Sequence, residues 1–221
     1  MTTPVDRAPV ENRGRPRIRQ DDEILHAALQ AFAAQGYDAM SLRSLNAQLG
    51  LSHGTISQRF GTKERLYFAA VDLGSASFLA DIEQRRRVAL DAVDDPDDLA
   101  DLRATIRSFL GAVLVRPELS RLLDQEGLSR TPRLDYIVGN VLMPLVGSMR
   151  GQVDRLRAVG RIRPVTARAL FLLVAKGAGA PYTLDALSGA FDGMDGPLDP
   201  ERHADDVTDL IMRGIAWAGH E

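Results

Sequence analysis

The chain of 221 residues contains no cysteine, which excludes disulfides and thiolate-bound metals outright and is compatible with a reducing interior. It has no run of eighteen apolar residues and no apolar stretch near the N-terminus that would serve as a signal peptide. The expectation is a soluble cytoplasmic protein with no membrane partner. Its four histidines are scattered without metal-ligand spacing. There is no GxSxG, no phosphate-binding P-loop, no HExxH, and no pair of carboxylates in a frame suited to acid–base work. With no nucleophile, base, metal or cofactor cradle, no catalytic residue and no cofactor are assigned, and the chain is not expected to be an enzyme. Alternation of period two and internal repeats are also missing.

What is present is an ordinary globular composition, 45% hydrophobic, enough to bury a real core. The length allows one large domain, or a small one plus a larger one. Net charge is only −3, so the whole surface is not a basic coat. The distribution matters more than the sum. Residues 1–67 carry nine Lys/Arg against seven Asp/Glu, and residues 68–221 carry eighteen against twenty-three. Within residues 7–20 five arginines face one acid. A basic end on an otherwise acidic molecule focuses its attraction for polyanions.

The pattern predicts an all-α chain in three parts: a flexible basic arm (1–20), a small helical domain (21–67) and a larger helical domain (68–221). Asp21 and Asp22 suit a helix N-terminus, and Ile24, Leu25, Ala28, Leu29 and Phe32 give that helix an apolar face ending at Gly36. A long helix starts at Thr62-Lys63 and runs to about Leu90, with Gly74 either a flexible point or a close packing contact. After the acidic break 91–98, helices are expected over about 99–115, 117–128 and 131–159. The last of these carries Pro144, which should remove one hydrogen bond and bend it. A strongly apolar helix over 166–179, a loop over 188–199 and a final helix over about 200–217 complete the chain.

Residues 41–63, SLRSLNAQLGLSHGTISQRFGTK, carry the function. Leu42, Leu45 and Leu49 mark one buried stripe, Gly50 stops the first helix, Leu51 plugs the turn, and Ser52 is placed to N-cap a second helix. That helix hides Ile56 and Phe60 and presents His53, Thr55, Ser57, Gln58 and Arg59. A short rigid helix lined with hydrogen-bonding side chains fits a DNA major groove. The bland alternative is a helical hairpin that binds nothing. Arg13, Arg15 and Arg17, flanking Gly14 and Pro16, form an extended strip suited to a narrow minor groove, or a solvated tail. Arg43 and Lys63 stand where phosphates would be gripped, Lys63 beside an N-cap at Thr62.

Residues 15 to about 73 resemble the DNA-binding region of the tetracycline-repressor (TetR) family of bacterial regulators, through FAAQGYDAMSLRSL and LGLSHGTISQRFGTKERL. Phe32, Gly36, Tyr37, Gly50, Ser52, Gly54, Thr55, Phe60, Lys63 and Leu66 stand at that family's spacing. The resemblance implies about nine helices, a homodimer through the last two, and an effector pocket in the larger domain. It makes Ser41, Arg43, Ser52, His53, Thr55, Gln58 and Lys63 contacts to double-stranded operator DNA, and places Tyr37 and Phe60 in the core. Three positions depart from the pattern. Ser57 stands where Tyr is usual, Gly61 where Pro is usual, and Asn46 where a small residue, usually Ala, lies between the helices; a buried amide there needs a partner.

The larger domain offers one polar anomaly. Leu119, Leu122 and Leu123 set an apolar stripe on which Glu126 is next, and a carboxylate there must be paired or solvated by a site. Arg133 and Tyr136 are its candidate partners. With Gln125 and Phe109 they either line an apolar pocket for a small, hydrophobic effector, or Glu126 and Arg133 form a structural ion pair. The function expected is a repressor that binds a palindromic operator as a dimer and is released by that effector. The alternative is an effector-independent activator or architectural DNA-binding protein.

Overall fold

Helix formation begins where three acids meet a helix N-terminus. Asp21, Asp22 and Glu23 fill the first turn of α1 (Asp21–Gln35), favoured by the partial positive charge there. Ile24, Ala28, Leu29 and Phe32, spaced by three and four, turn its buried face inward. The computed structural model describes residues 20–217; Arg13, Arg15, Arg17 and His220 lie outside the described residues. Two short helices follow, α2 (Leu42–Gln48) and α3 (Thr55–Phe60). Then comes α4 (Lys63–Asp91), which at roughly 1.5 Å per residue is about 43 Å long. Thr62 caps it, its hydroxyl accepting from Arg65 N at 3.2 Å.

α4 packs on α1 at its start and on α5 (Asp98–Val115) further along, so one helix belongs to both halves of the molecule. Gly74 is a close packing contact: a Cβ there would run into Leu29 of α1. Beyond α5 lie α6 (Glu118–Glu126) and α7 (Pro132–Ile137), the latter capped by Thr131. The bend expected at Pro144 takes a particular form. Pro144 offers no N–H to the ladder, and the mismatch is absorbed by a π turn over Val138–Leu142 before α8 (Met143–Ala158). The apolar helix expected over 166–179 divides likewise into α9 (Ala167–Leu172), capped by Thr166, and a π turn over Leu173–Ala178. There Gly179 N donates to Val174 O, five residues back, at 2.8 Å.

The expected loop over 188–199 is a correction. Much of it is helical, in α10 (Asp185–Gly189) and α11 (Asp192–Asp195). Their single turns gain enough local hydrogen bonds to form despite the glycines. α12 (Pro200–Ile215) starts on Asp199, whose carboxylate accepts from Glu201 N and Arg202 N. It buries Ala204, Thr208, Ile211, Met212 and Ile215 and is tied to α5 by Arg107 with Glu201 and Asp205, and by Arg103 with Asp209. Among the described residues there is no strand, only an isolated bridge between Ile162 and Ala216. No described helix is long and apolar enough to cross a membrane.

Candidate nucleic-acid interface

α2 begins at Ser41, whose hydroxyl accepts from Ser44 N at 3.4 Å, and buries Leu45 and Asn46. Gly50 takes φ 65° after it, and the chain turns back with Leu51 N on Asn46 O at 2.9 Å. Ser52 does not cap α3 as expected. The N-cap is Gly54, at φ 83° with no side chain to offer. Ser52 supports the preceding turn instead: its carbonyl accepts from Thr55 N at 3.2 Å and its hydroxyl bonds the Thr55 hydroxyl at 2.7 Å. The cap comes from the facing helix. Asn46 Oδ1 accepts from Ile56 N at 3.2 Å while its Nδ2 donates to Leu42 O at 2.9 Å. The partner that a buried amide requires is therefore the first free N–H of α3, and one side chain fixes the two helices relative to each other.

Ile56 is fully buried under α3. Ser52, His53, Ser57, Gln58 and Arg59 stand exposed, with Thr55 half-buried at the edge. Arg43 and Ser41 are exposed at the start of α2, and Lys63, which opens α4, brings the described candidates to nine. Two of their cations are already engaged. Arg59 pairs with Asp21 at 3.1 Å, an acid whose role at the α1 N-terminus gave no hint of this. Lys63 Nζ donates to Asp38 O at 3.1 Å and lies 4.7 Å from the centre of the Tyr37 ring. No cluster of His or acidic residues suited to a metal ion occurs among the described residues.

Tyr37 opens onto the rest of the molecule. It packs beside Phe32 and edge-on to Tyr67, and the Arg133 guanidinium of α7 lies 4.1 Å from its centre. Arg133 Nε also donates to Glu126 Oε1 at 2.7 Å, and Thr131 donates to the other carboxylate oxygen at 2.8 Å. The Tyr67 hydroxyl donates to Glu126 as well, at 3.4 Å. The Glu126–Arg133 ion pair thus exists, and it sits at the seam between the two halves. Gln125 bridges the same seam by donating to Ala33 O at 2.8 Å, and the Tyr136 hydroxyl donates to Asp72 at 2.6 Å. Burial first, then the Glu126 charge, holds the Tyr67 hydroxyl well above the ordinary tyrosine value of 10.0. Tyr136 is pushed up to about 12 by burial and by Asp72. Raised folded values mean this stabilisation is intact below pH 10 and is lost as pH climbs through the folded values. Unfolding followed by far-UV circular dichroism should therefore become easier above about pH 10, and Tyr67→Phe should blunt that dependence.

Of the residues expected around an effector, Phe109 alone lines an apolar cavity of the larger half. Gln125, Glu126, Arg133 and Tyr136 are off its walls. The cavity, about 40 Å³, is bounded by Phe78, Phe109, Leu123, Ile137, Val141, Phe171 and neighbouring side chains. A smaller space of about 20 Å³ adjoins it across Phe109, Leu145 and Phe171. Both π turns reach these walls, through Val141, Leu142, Val174 and Ala175. Sequence reasoning missed the π turns; the signals were Pro144 and the glycines at 177 and 179.

Residues 24–70, from α1 into the first turns of α4, match the family profile described as bacterial regulatory proteins, tetR family. The HTH-type transcriptional repressor Rv1474c of Mycobacterium tuberculosis is 30% identical over 114 residues, which cover 48% of this chain and 60% of that protein. The chain spans no more than 60% of the length of the curated relatives it matches. A bacterial regulatory protein in the tetR family from Rhodococcus RHA1 has the same fold, with a TM-score of 0.67 at 21% identity over 91% of this chain and all of that one. AibR, solved in complex with isovaleryl coenzyme A and operator DNA, gives a TM-score of 0.65 at 19% identity, covering 86% of this chain and 97% of its own.

Proposed function

We propose that the protein is a DNA-binding transcriptional regulator, because residues 24–70 match the profile of the tetR family of bacterial regulatory proteins and 91% of the chain shares the fold of a solved tetR-family protein. In this reading it is a repressor that binds a palindromic operator as a homodimer and lets go when a small apolar effector enters the larger domain. Residues 21–67 form the reader, residues 1–20 an arm, and residues 68–221 the effector and dimerisation domain, with α4 continuous between reader and sensor. The observation that carries the reading is the exposed polar face of α3, locked to α2 by Asn46 and flanked by basic groups.

Thr55, Ser57, Gln58 and His53 would meet base edges, with Ser41, Ser52, Arg43, Arg59 and Lys63 on phosphates and Arg13, Arg15 and Arg17 in the adjacent minor groove. Arg59 and Lys63 would exchange their present partners, Asp21 and the Asp38 carbonyl, for phosphate oxygens. Arg43→Ala should weaken every duplex alike and reduce the slope of log affinity against log salt by about one. Gln58→Ala should instead change the sequences recovered from a random pool of duplexes. Anisotropy titrations at several salt concentrations, and selection from that pool, check the two. Equal binding by wild type and Arg43→Ala at every salt would count against this docking.

Dimerisation is supported by apolar side chains left exposed near the C-terminal helices, among them Leu172, Leu173 and Leu210. Paired readers would then sit about 34–36 Å apart, one DNA turn. Leu173→Glu combined with Leu210→Glu should give a monomer by analytical ultracentrifugation and lower operator affinity by at least about tenfold. A variant that stays dimeric would place the interface elsewhere.

AibR was solved with an acyl thioester and with operator DNA, which supports a ligand-responsive repressor. A cavity of about 40 Å³ is far below the roughly 300–1,000 Å³ of ordinary small-molecule sites, so an effector seated there must push its walls apart. The π turns are the places to yield, being local departures from the α-helical ladder on those walls of a kind frequent at functional sites. The small size of this cavity favours a second reading, in which the protein regulates without an effector, whereas a wider cleft of about 310 Å³ walled by Leu184, Leu187, Phe191 and Leu198 leaves room for one. Release of bound duplex by members of a panel of apolar compounds would separate the two.

A further inference from the structure

Arg116 closes α5 and leads through Pro117 into α6. Every other partly buried arginine among the described residues has a carboxylate partner: Arg85 has Asp81, Arg86 has Asp101, Arg107 has Asp205, Arg121 has Asp185 and Arg133 has Glu126. Arg116 is partly buried too, yet no ion pair joins it to a described residue, and its Nε is buried with no hydrogen-bond partner. Only its backbone N–H is used, donating to Ala112 O at 2.9 Å. Removing a guanidinium nitrogen from water without a replacement acceptor is costly, and such a group calls for an occupant.

The side chain stands on the wall of a cleft of about 160 Å³ between α1, α4 and the α5–α6 corner. Aliphatic surface comes from Leu29, Val115 and Leu119, and His26 and Gln30 stand on the α1 side. Pro117 gives α6 no side-chain cap, so the first amides of that nine-residue helix lack a side-chain acceptor. We infer that this cleft binds a short-chain aliphatic carboxylate, its head on Arg116 and the α6 amides and its tail on the aliphatic wall. Glu118, the one acid lining the cleft, is not paired with Arg116, and its charge discriminates against a doubly charged anion such as phosphate. The cleft is separate from the apolar cavity, sharing only Leu119 with it. Its occupant would touch the reader's first helix and the larger domain together.

The test is a titration of the full chain with sodium butyrate, at ionic strength held constant with sodium chloride, followed by amide chemical shifts. The expected result is saturable movement at Gly74 and Leu119, weakened at least tenfold in Arg116→Gln. Gln30→Glu, an exposed change that leaves the fold alone, should weaken it several-fold by adding a second acid to the wall. Shifts that chloride alone reproduces, the absence of saturation, or equal binding by Arg116→Gln overturns the proposal. Should Arg116→Gln fail to fold, unchanged binding by Gln30→Glu overturns it equally. No DNA enters this measurement, so its outcome is independent of the regulatory reading.

Discussion

Arg133→Met is expected to destabilise the folded chain by about 3 kcal/mol, the lower end of the 3–5 kcal/mol cost of stranding a buried charge. Glu126 is 6% exposed and Arg133 21%, so the acid cannot recover by turning to water. The Thr131 and Tyr67 hydroxyls remain to donate to it, and the arginine's partial exposure softens the loss; both place the effect at the lower end of the range. Methionine keeps most of the side-chain volume, so the measurement isolates charge from packing. Adding Glu126→Leu should return most of the stability, because replacing a buried pair by apolar groups is often neutral. Urea unfolding of the two single variants and the double variant supplies the cycle. A loss below about 1 kcal/mol in Arg133→Met would show that the pair is effectively solvated. The same variant removes the guanidinium from the Tyr37 ring, 4.1 Å away, loosening the seam across which any signal between the two halves must pass.

The second large effect is expected from Asn46→Ala. The change leaves the Ile56 N–H buried without an acceptor, a cost of about 1–3 kcal/mol. It also releases α3 from α2. A helix of six residues has no independent stability in water, so the reader's geometry rests on that amide and on Ile56. Operator affinity should fall by at least about tenfold, since a mobile reader must be ordered on binding. Ser44→Ala, at an exposed position on the same helix, serves as the control and should change neither quantity much. Thermal unfolding and anisotropy on one selected duplex measure both. Wild-type stability and affinity in Asn46→Ala would show that Gly54 and the Ser52–Thr55 turn suffice to hold the helix.

Much of this molecule was written locally. The spacing of Ile24, Ala28, Leu29 and Phe32, the caps at Ser41, Thr62, Thr131 and Thr166, and the turn at Gly50 all depend on neighbours three or four residues apart. Such short-range hydrogen bonds and apolar stripes are visible in a sequence because the partners are already adjacent. The all-α class, the paired helices on either side of Gly50 and the need of Asn46 for a partner were legible on that basis, as was the misfit of Glu126 on an apolar stripe. Ser52 shows the limit: its type suited a cap, but the competing turn with Thr55 and the reach of Asn46 from α2 took that role.

Only tertiary structure decided which groups meet across the chain. Arg133 finds Tyr37, Gln125 finds the Ala33 carbonyl and Tyr136 finds Asp72, each pair separated by 64 residues or more. That choice is set by how α1, α4, α6 and α7 stack, which no local pattern encodes. The π turns are likewise a compromise between the missing N–H of Pro144, or the freedom of the glycines near 177, and the walls against which those segments pack. Sequence by itself thus determined most of the helices and the polar face of α3; packing determined that the polar residues near Glu126 join the two halves, while an apolar cavity lies beside them.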